Sequence, residues 1–235
     1  MKAVIITGIS SGLGRSLFRI LSDSGLKVVG ISRRFLPEQT EKAQRSGGRI
    51  VLLEADLAAT WQIPGIPRLR LTLDQLGCAD LVFISNAGTI QPISATGHAD
   101  PVAIRDAMAV NMLAPMLLVR ELCEHVHRIQ GRLTILNISS GAASRAIAGW
   151  GSYCSAKAGI RMFLDVVAEE NANSPAVRVV HIDPGVLDTE MQTTIRNSDK
   201  SDMPSRDVFV RLDIEGKLRN PDDVACELVS RYLEQ

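Results

Sequence analysis

Cysteine, histidine and aromatic residues are all scarce in this chain. Of 235 residues, four are cysteine, four are histidine, and aromatics make up 4%. Cys78, Cys123, Cys154 and Cys226 lie far apart with no C-x-x-C spacing. That argues against a disulfide framework or zinc cage and predicts a reducing, cytoplasmic setting. His125 and His127 stand two apart on a predicted helix, so they point in different directions and cannot chelate together; no metal site is expected. Neither sign of charge is in excess, with 26 basic and 26 acidic residues. The basic footprint of a nucleic-acid binder is therefore missing. No apolar run reaches the roughly 18–20 residues that cross a bilayer. The opening M-K-A-V-I-I-T-G also lacks the long apolar stretch and small-residue cleavage site of a signal peptide. No membrane partner is expected.

What remains is ordinary globular composition, 46% hydrophobic and 22% charged, in a length that suits one domain over 1–235. Short β-branched runs alternate with longer amphipathic segments. The runs are Ala3–Ile6, Lys27–Ile31, Arg49–Leu53, Leu81–Ile84, Leu133–Ile138 and Val177–Ile182. They read as fully buried strands. Helices are predicted at about 12–24, 65–76, 101–129, 151–172 and 221–234. The alternation implies an α/β, Rossmann-like, doubly wound parallel sheet of six strands. The chain stops soon after the last helix, so a seventh, C-terminal strand is expected to be absent. Residues 185–220 are polar and follow the sixth strand, where open α/β sheets bind ligands, which predicts a mobile substrate flap.

The first strand runs into Thr7-Gly8-Ile9-Ser10-Ser11-Gly12-Leu13-Gly14 and then a helix. Such a turn aims helix N-terminal amides at a pyrophosphate. Gly8 permits the turn, Gly12 allows close backbone approach, and Gly14 allows helix and strand to pack closely. A nucleoside-triphosphate loop is excluded because no Gly-Lys-Ser/Thr follows. The second strand ends in Arg33-Arg34, where a carboxylate would favour NAD. Arginine suits the 2′-phosphate of NADP, so NADPH is expected over NADH.

Tyr153 and Lys157 are four apart on a predicted helix and share a face. An ammonium beside a phenol favours phenolate and is expected to lower the tyrosine pKa. Ser139-Ser140 ends the fifth strand, Asn86-Ala87-Gly88 ends the fourth, Asn111 lies within a long helix, and Pro184-Gly185 closes the sixth. Adjacent strand residues face opposite sides, so only one of Ser139 and Ser140 is expected in the site.

Together these residues resemble the short-chain dehydrogenase/reductase family, over nearly the whole chain from Thr7 to about Asp223. The resemblance implies a catalytic tetrad of Asn111, Ser140, Tyr153 and Lys157. Tyr153 would be the general acid in reduction, and Ser140 would polarise the carbonyl. Lys157 would bind the nicotinamide ribose and lower the Tyr153 pKa, while Asn111 would hold a water linking Lys157 to solvent. It also implies cofactor contacts at Asp56, Leu57, Asn86, Ala87, Gly88, Pro184, Gly185, Val186 and Thr189, beside Tyr153, Lys157 and the glycine turn. Asn137-Ile138-Ser139-Ser140, Gly149-Trp150, Tyr153-Cys154-Ser155-Ala156-Lys157 and Pro184 to Gln192 are similar to the sepiapterin reductase and bacterial benzil reductase branch. That branch reduces a carbonyl next to another carbonyl with NADPH. The implied activity is reduction of an aromatic or vicinal dicarbonyl to a secondary alcohol. The alternatives are reduction of a 3-oxoacyl thioester or a sugar, or a non-catalytic NADP(H) sensor. The acid that anchors pterin in sepiapterin reductases has no counterpart before Gln235, which speaks against a pterin substrate. Trp150, Gln91 and Met191 are expected to line the substrate pocket with Ser140 and Tyr153. The family pairs the equivalents of helices 101–129 and 151–172 into a dimer. Ser155, Ala156, Ala158 and Gly159 would allow close approach there, so a homodimer is expected.

Overall fold

The computed structural model describes residues 2–59, 65–174 and 176–233. The β-branched runs form strands β1 (Lys2–Thr7), β2 (Lys27–Ser32), β3 (Ile50–Glu54), β4 (Asp80–Ser85), β5 (Arg132–Ile138) and β6 (Val177–Ile182). All pair in parallel, in the order β3-β2-β1-β4-β5-β6. The runs are continuous rather than alternating because both faces are covered. Ala3 and Ile5 enter one core with Phe83 and Ile135, while Val4 and Ile6 enter the opposite core with Val82 and Ile84. After β3 the chain crosses to the other side of β1. The carboxyl ends of β1 and β4 therefore diverge into a crevice, the place where such sheets take ligands.

The helices are α1 (Gly12–Asp23), α2 (Pro37–Arg45), α3 (Gly65–Leu76), α4 (Pro101–Met108), α5 (Ala114–Ile129), α6 (Gly151–Glu170), α7 (Glu190–Arg196), α8 (Arg206–Ile214) and α9 (Pro221–Tyr232). Side chains of α3, α5 and α6 cover one face of the sheet, and those of α1 and α9 the other. The described residues hold six strands and no seventh. Residue 234, the expected end of the last helix, lies with Gln235 outside the described residues.

Several sequence expectations change. Helix α2 has no apolar stripe, and its only buried residue is Gln39. It is read instead from its ends, with proline in the first turn beside Glu38 and Lys42 and Arg45 in the last turn. The stretch 101–129 is helical throughout but opens into a π turn at Ala109–Leu113. There the Ala114 N–H donates to the Ala109 carbonyl. Pro115 has no N–H to offer the Asn111 carbonyl, so a regular α ladder cannot continue at this point. By length and composition, Pro101–Ile129 is also long and apolar enough to cross a membrane, although no single apolar run showed it. Here Ala107, Ala114, Leu118, Leu122 and Val126 of this stretch are buried inside the protein.

The polar segment 185–220 carries two helices, α7 and α8. Its two ends are tied by a parallel bridge between Leu187 and Arg219. The Asp188 N–H donates to the Arg219 carbonyl at 2.9 Å, and the Arg219 N–H to the Val186 carbonyl at 2.9 Å. Between the helices, Met203 is fully buried. A Cβ on Gly149 would lie 2.3 Å from the Asp202 carbonyl oxygen, so this segment rests directly on the chain entering α6.

Candidate functional site

A cleft of about 630 Å³ runs along the carboxyl ends of the strands. At one end the β1–α1 turn forms its floor. Gly12 has φ +50°, and a Cβ there would press on Thr189 at 3.2 Å. A Cβ on Gly14 would sit 2.0 Å from the Gly8 carbonyl oxygen, which no side chain can satisfy. The turn is held from β4. Asn86 Nδ2 donates to the Thr7 carbonyl at 2.9 Å and the Gly8 carbonyl at 3.1 Å. Thr7 Oγ1 accepts from the N–H groups of Asn86 at 3.1 Å and Ala87 at 3.0 Å. The Asn86 side chain thus braces the turn, and Thr7 stands behind the cleft rather than in its lining.

Ser10, Ser11, Leu13, Asp56, Leu57, Ala87, Gly88, Pro184, Gly185, Val186 and Thr189 all line the cleft. Arg33 does as well, but Arg34, the next residue on the chain, does not. The nearest acid along the chain, Glu38, is bound to Arg15 at 3.0 Å, and no carboxylate pairs with Arg33 among the described residues. The residues fit a dinucleotide. The cradle has no room for a side chain at Gly14, Gly12 sits at a φ that favours glycine, and no acid among the described residues pairs with Arg33.

The reactive end is built by β5 and α6. Ser140 Oγ accepts from the Ala142 N–H at 3.2 Å, which fixes it at the mouth of a short 3-10 turn. Both serines line the cleft, but Ser139 Oγ is buried without a partner, whereas Ser140 hydrogen-bonds with Tyr153. Lys157 is buried, and its Nζ donates to the Ile138 carbonyl at 2.9 Å, 5.8 Å from the centre of the Tyr153 ring. Burial pushes the Tyr153 phenol above its ordinary value, against the pull of its hydrogen bond with Ser140, and Asp183 adds to the rise. The lowered tyrosine pKa read from the sequence is therefore reversed here, since desolvation outweighs the hydrogen bond with Ser140. Burial also pushes Lys157 down to about 8.

Asn111 lies behind the cleft and is buried. Its Oδ1 accepts from the Thr89 N–H at 2.9 Å and its Nδ2 donates to the Thr89 carbonyl at 2.8 Å. The side chain is thus pinned to the Thr89 backbone. Gln91 is also displaced. Its Oε1 accepts from the Ile93 N–H at 3.2 Å, and it faces a separate, shallow depression. Its neighbour Ile90 turns into the cleft instead. Trp150 and Met191 line the cleft, with Trp150 edge-on to Tyr153 at 5.5 Å and 5.4 Å from Phe209. The reading from sequence missed Ile90, Ile147, Gln192, Ile195 and Phe209, which complete this wall. His181 lies between Asn137 and Asp165, 3.0 Å from each, and takes no part in the cleft.

A phosphate-sized cradle at one end, and a proton-holding phenol flanked by a hydroxyl and a buried amine at the other, can hold a dinucleotide and protonate an oxygen beside it. The comparisons with known proteins agree with that architecture. Residues 2–200 match the family model for short chain dehydrogenase. The chain is 34% identical to benzil reductase ((S)-benzoin forming) of Bacillus cereus over 96% of its own length and 91% of the relative's. It is 31% identical to sepiapterin reductase of Bos taurus, covering 97% and 86%. The crystal structure of the KRED1-Pglu enzyme superposes with a TM-score of 0.85 at 27% identity, covering 100% of this chain and 95% of that one.

Proposed function

The chain belongs to the short-chain dehydrogenase/reductase family, oxidoreductases that bind a nicotinamide cofactor, and on that premise we propose that it reduces an aromatic or vicinal dicarbonyl to a hydroxy ketone with NADPH. The observation that carries this reading is the convergence of Tyr153, Ser140 and Lys157 on one cleft with the glycine turn and Arg33. When bound, the cofactor supplies the hydride. The protein's own groups do the rest. Ser140 Oγ–H and the Tyr153 phenol point to one carbonyl oxygen, and the phenol gives up its proton as negative charge grows there. A phenol held above its ordinary pKa keeps that proton until the oxygen can take it. Lys157, anchored on Ile138, would hold the ribose hydroxyls of the cofactor. Apolar Trp150, Ile90, Ile147, Ile195 and Phe209 exclude water and suit an aromatic substituent.

The test is a panel of benzil, sepiapterin and an acetoacetyl thioester with each cofactor. Benzil with NADPH is expected to turn over fastest. Faster turnover of the thioester would favour the fatty-acyl alternative, and tight NADPH binding with no turnover would favour a sensor.

The activity also has an expected pH dependence. Below pH 8 the buried Lys157 amine is charged, and above it is neutral. The value of kcat/KM for NADPH, which reports the free enzyme, is therefore expected to fall as pH rises through about 8. The stability trend has the opposite sign. Between about 8 and 10.5 the unfolded lysine keeps a proton that the folded one has lost, so stability rises with pH in that window. A kcat/KM profile flat across that range would contradict the assignment of Lys157.

A homodimer through 101–129 and 151–172 is part of the proposal. Val102, Leu113, Met162 and Val166 are large apolar residues exposed on those helices. The small residues divide: Ser155 and Ala158 face outward, but Ala156 is buried within the protein and Gly159 is approached by Met112 of the same chain. The four cysteines are free thiols, which accords with a cytoplasmic setting.

A further inference from the structure

Buried polar groups in folded proteins are almost always hydrogen-bonded, so those that are not mark places where a partner is missing. Among the described residues three such groups belong to residues that line the cleft: Ser139 Oγ, already described, and two more on the substrate wall. Gln192, on the first turns of α7, is 3% exposed, and its Oε1 has no hydrogen-bond partner among the described residues. Trp150 is 4% exposed, and its indole Nε1 has none either. Both residues line the same cleft as Tyr153 and Ser140. The placement of Gln192 is not incidental. The two buried residues of α7 are Gln192 and Ile195, three apart and so on one helix face. Ile195 packs in one cluster with Trp150 and Tyr153. Oε1 finds no donor there among the described residues, which makes its burial costly.

We propose that Gln192, seconded by the indole N–H of Trp150, is the specificity-determining residue for a second oxygen on the substrate, the one next to the carbonyl being reduced. This deepens the reading of the site as a dicarbonyl reductase and rests on it. Tyr153 and Ser140 serve the reacting oxygen. The adjacent oxygen needs a donor as a ketone and accepts or donates as part of a hydroxy ketone. A terminal amide offers N–H from one end and C=O from the other, and half a turn about its last bond exchanges them. A ketone with only hydrocarbon at that position would bury the amide unpaired. A site built to hydrogen-bond a substrate group rejects the analogue that lacks it far more strongly than an apolar pocket rejects a misfit.

Benzil and deoxybenzoin, symmetric about the same two carbons apart from one oxygen, make the test direct. In the parent enzyme kcat/KM is expected to favour benzil. In Gln192→Leu the benzil-to-deoxybenzoin ratio is expected to fall roughly tenfold to a hundredfold, because benzil loses its partner while deoxybenzoin loses nothing. Comparing ratios cancels the greater intrinsic reactivity of the diketone. NADPH affinity, by fluorescence titration, is expected to stay unchanged. The melting temperature without substrate is expected to hold or rise, since an unpaired buried amide has been replaced by hydrocarbon. Gln192→Met, unbranched like glutamine, repeats the measurement if leucine disturbs the fold. An unchanged ratio would overturn the inference while leaving the reductase reading in place. So would a matching loss on both ketones with a lowered melting temperature, or a loss of NADPH affinity that assigns Gln192 to the cofactor. A parent enzyme that reduces neither ketone removes the dicarbonyl reading of the site, and this inference with it.

Discussion

Tyr153→Phe is expected to lower the rate of carbonyl reduction by about 100- to 10,000-fold, the range for removing a positioned general acid. The change is well controlled because the ring stays. Its edge contact with Trp150 at 5.5 Å and the position of Lys157 5.8 Å from its centre do not depend on the hydroxyl. The phenol oxygen is also costly to bury, so its removal should leave the fold intact or firmer. Stopped-flow or steady-state NADPH oxidation with benzil measures the loss, and a fluorescence titration checks that NADPH still binds. A variant that consumes NADPH at the parent rate would take Tyr153 out of the mechanism.

The second large effect belongs to Arg33. Charge-assisted hydrogen bonds to a phosphate contribute about 1.5–3 kcal/mol. Arg33→Ala is accordingly expected to reduce kcat/KM for NADPH about 10- to 150-fold and to leave NADH nearly unaffected. Arg34→Ala provides the internal control. From sequence the two arginines are equivalent, but only Arg33 lines the cleft, so Arg34→Ala should change the cofactor ratio little. Equal losses in both variants would mean that the phosphate is met by the pair. No loss in either would mean that the enzyme does not read the 2′ position here.

The two arginines illustrate how far a sequence carries. The strands were legible because a sheet covered on both faces demands unbroken β-branched runs. The glycine turn was legible because its steric needs are local, set within eight residues. Helical spacing puts Tyr153 and Lys157 on one face, but the pair took on meaning only beside Ser140 and the glycine turn. Helix α2 escaped because it buries Gln39 rather than an apolar stripe. That amide donates to the Ile9 carbonyl at 2.7 Å and bolts the helix to the phosphate turn. Its signal lay in its charged and proline-bearing ends. The substrate wall escaped for another reason. It is assembled from α7 and α8, in a segment whose polar composition hides one fully buried Met203 and an inward-facing Gln192. A glutamine beside a methionine has no sequence signature of burial, and only the folded neighbourhood gives it one. Asn111 was found by its motif, but what its side chain does was not. Its two hydrogen bonds with Thr89 are made across 22 residues of chain.

The central claim is that this cleft transfers a hydride to a carbonyl carbon beside Tyr153. The most direct measurement uses NADPH carrying deuterium at C4, prepared separately in each of its two stereochemical forms, with benzil as acceptor and mass spectrometry of the product. Deuterium should appear at the carbinol carbon of the hydroxy ketone from one form and not from the other, because the cofactor lies in one fixed orientation. Benzoin formed without deuterium from either form would contradict the account, as would equal labelling from both.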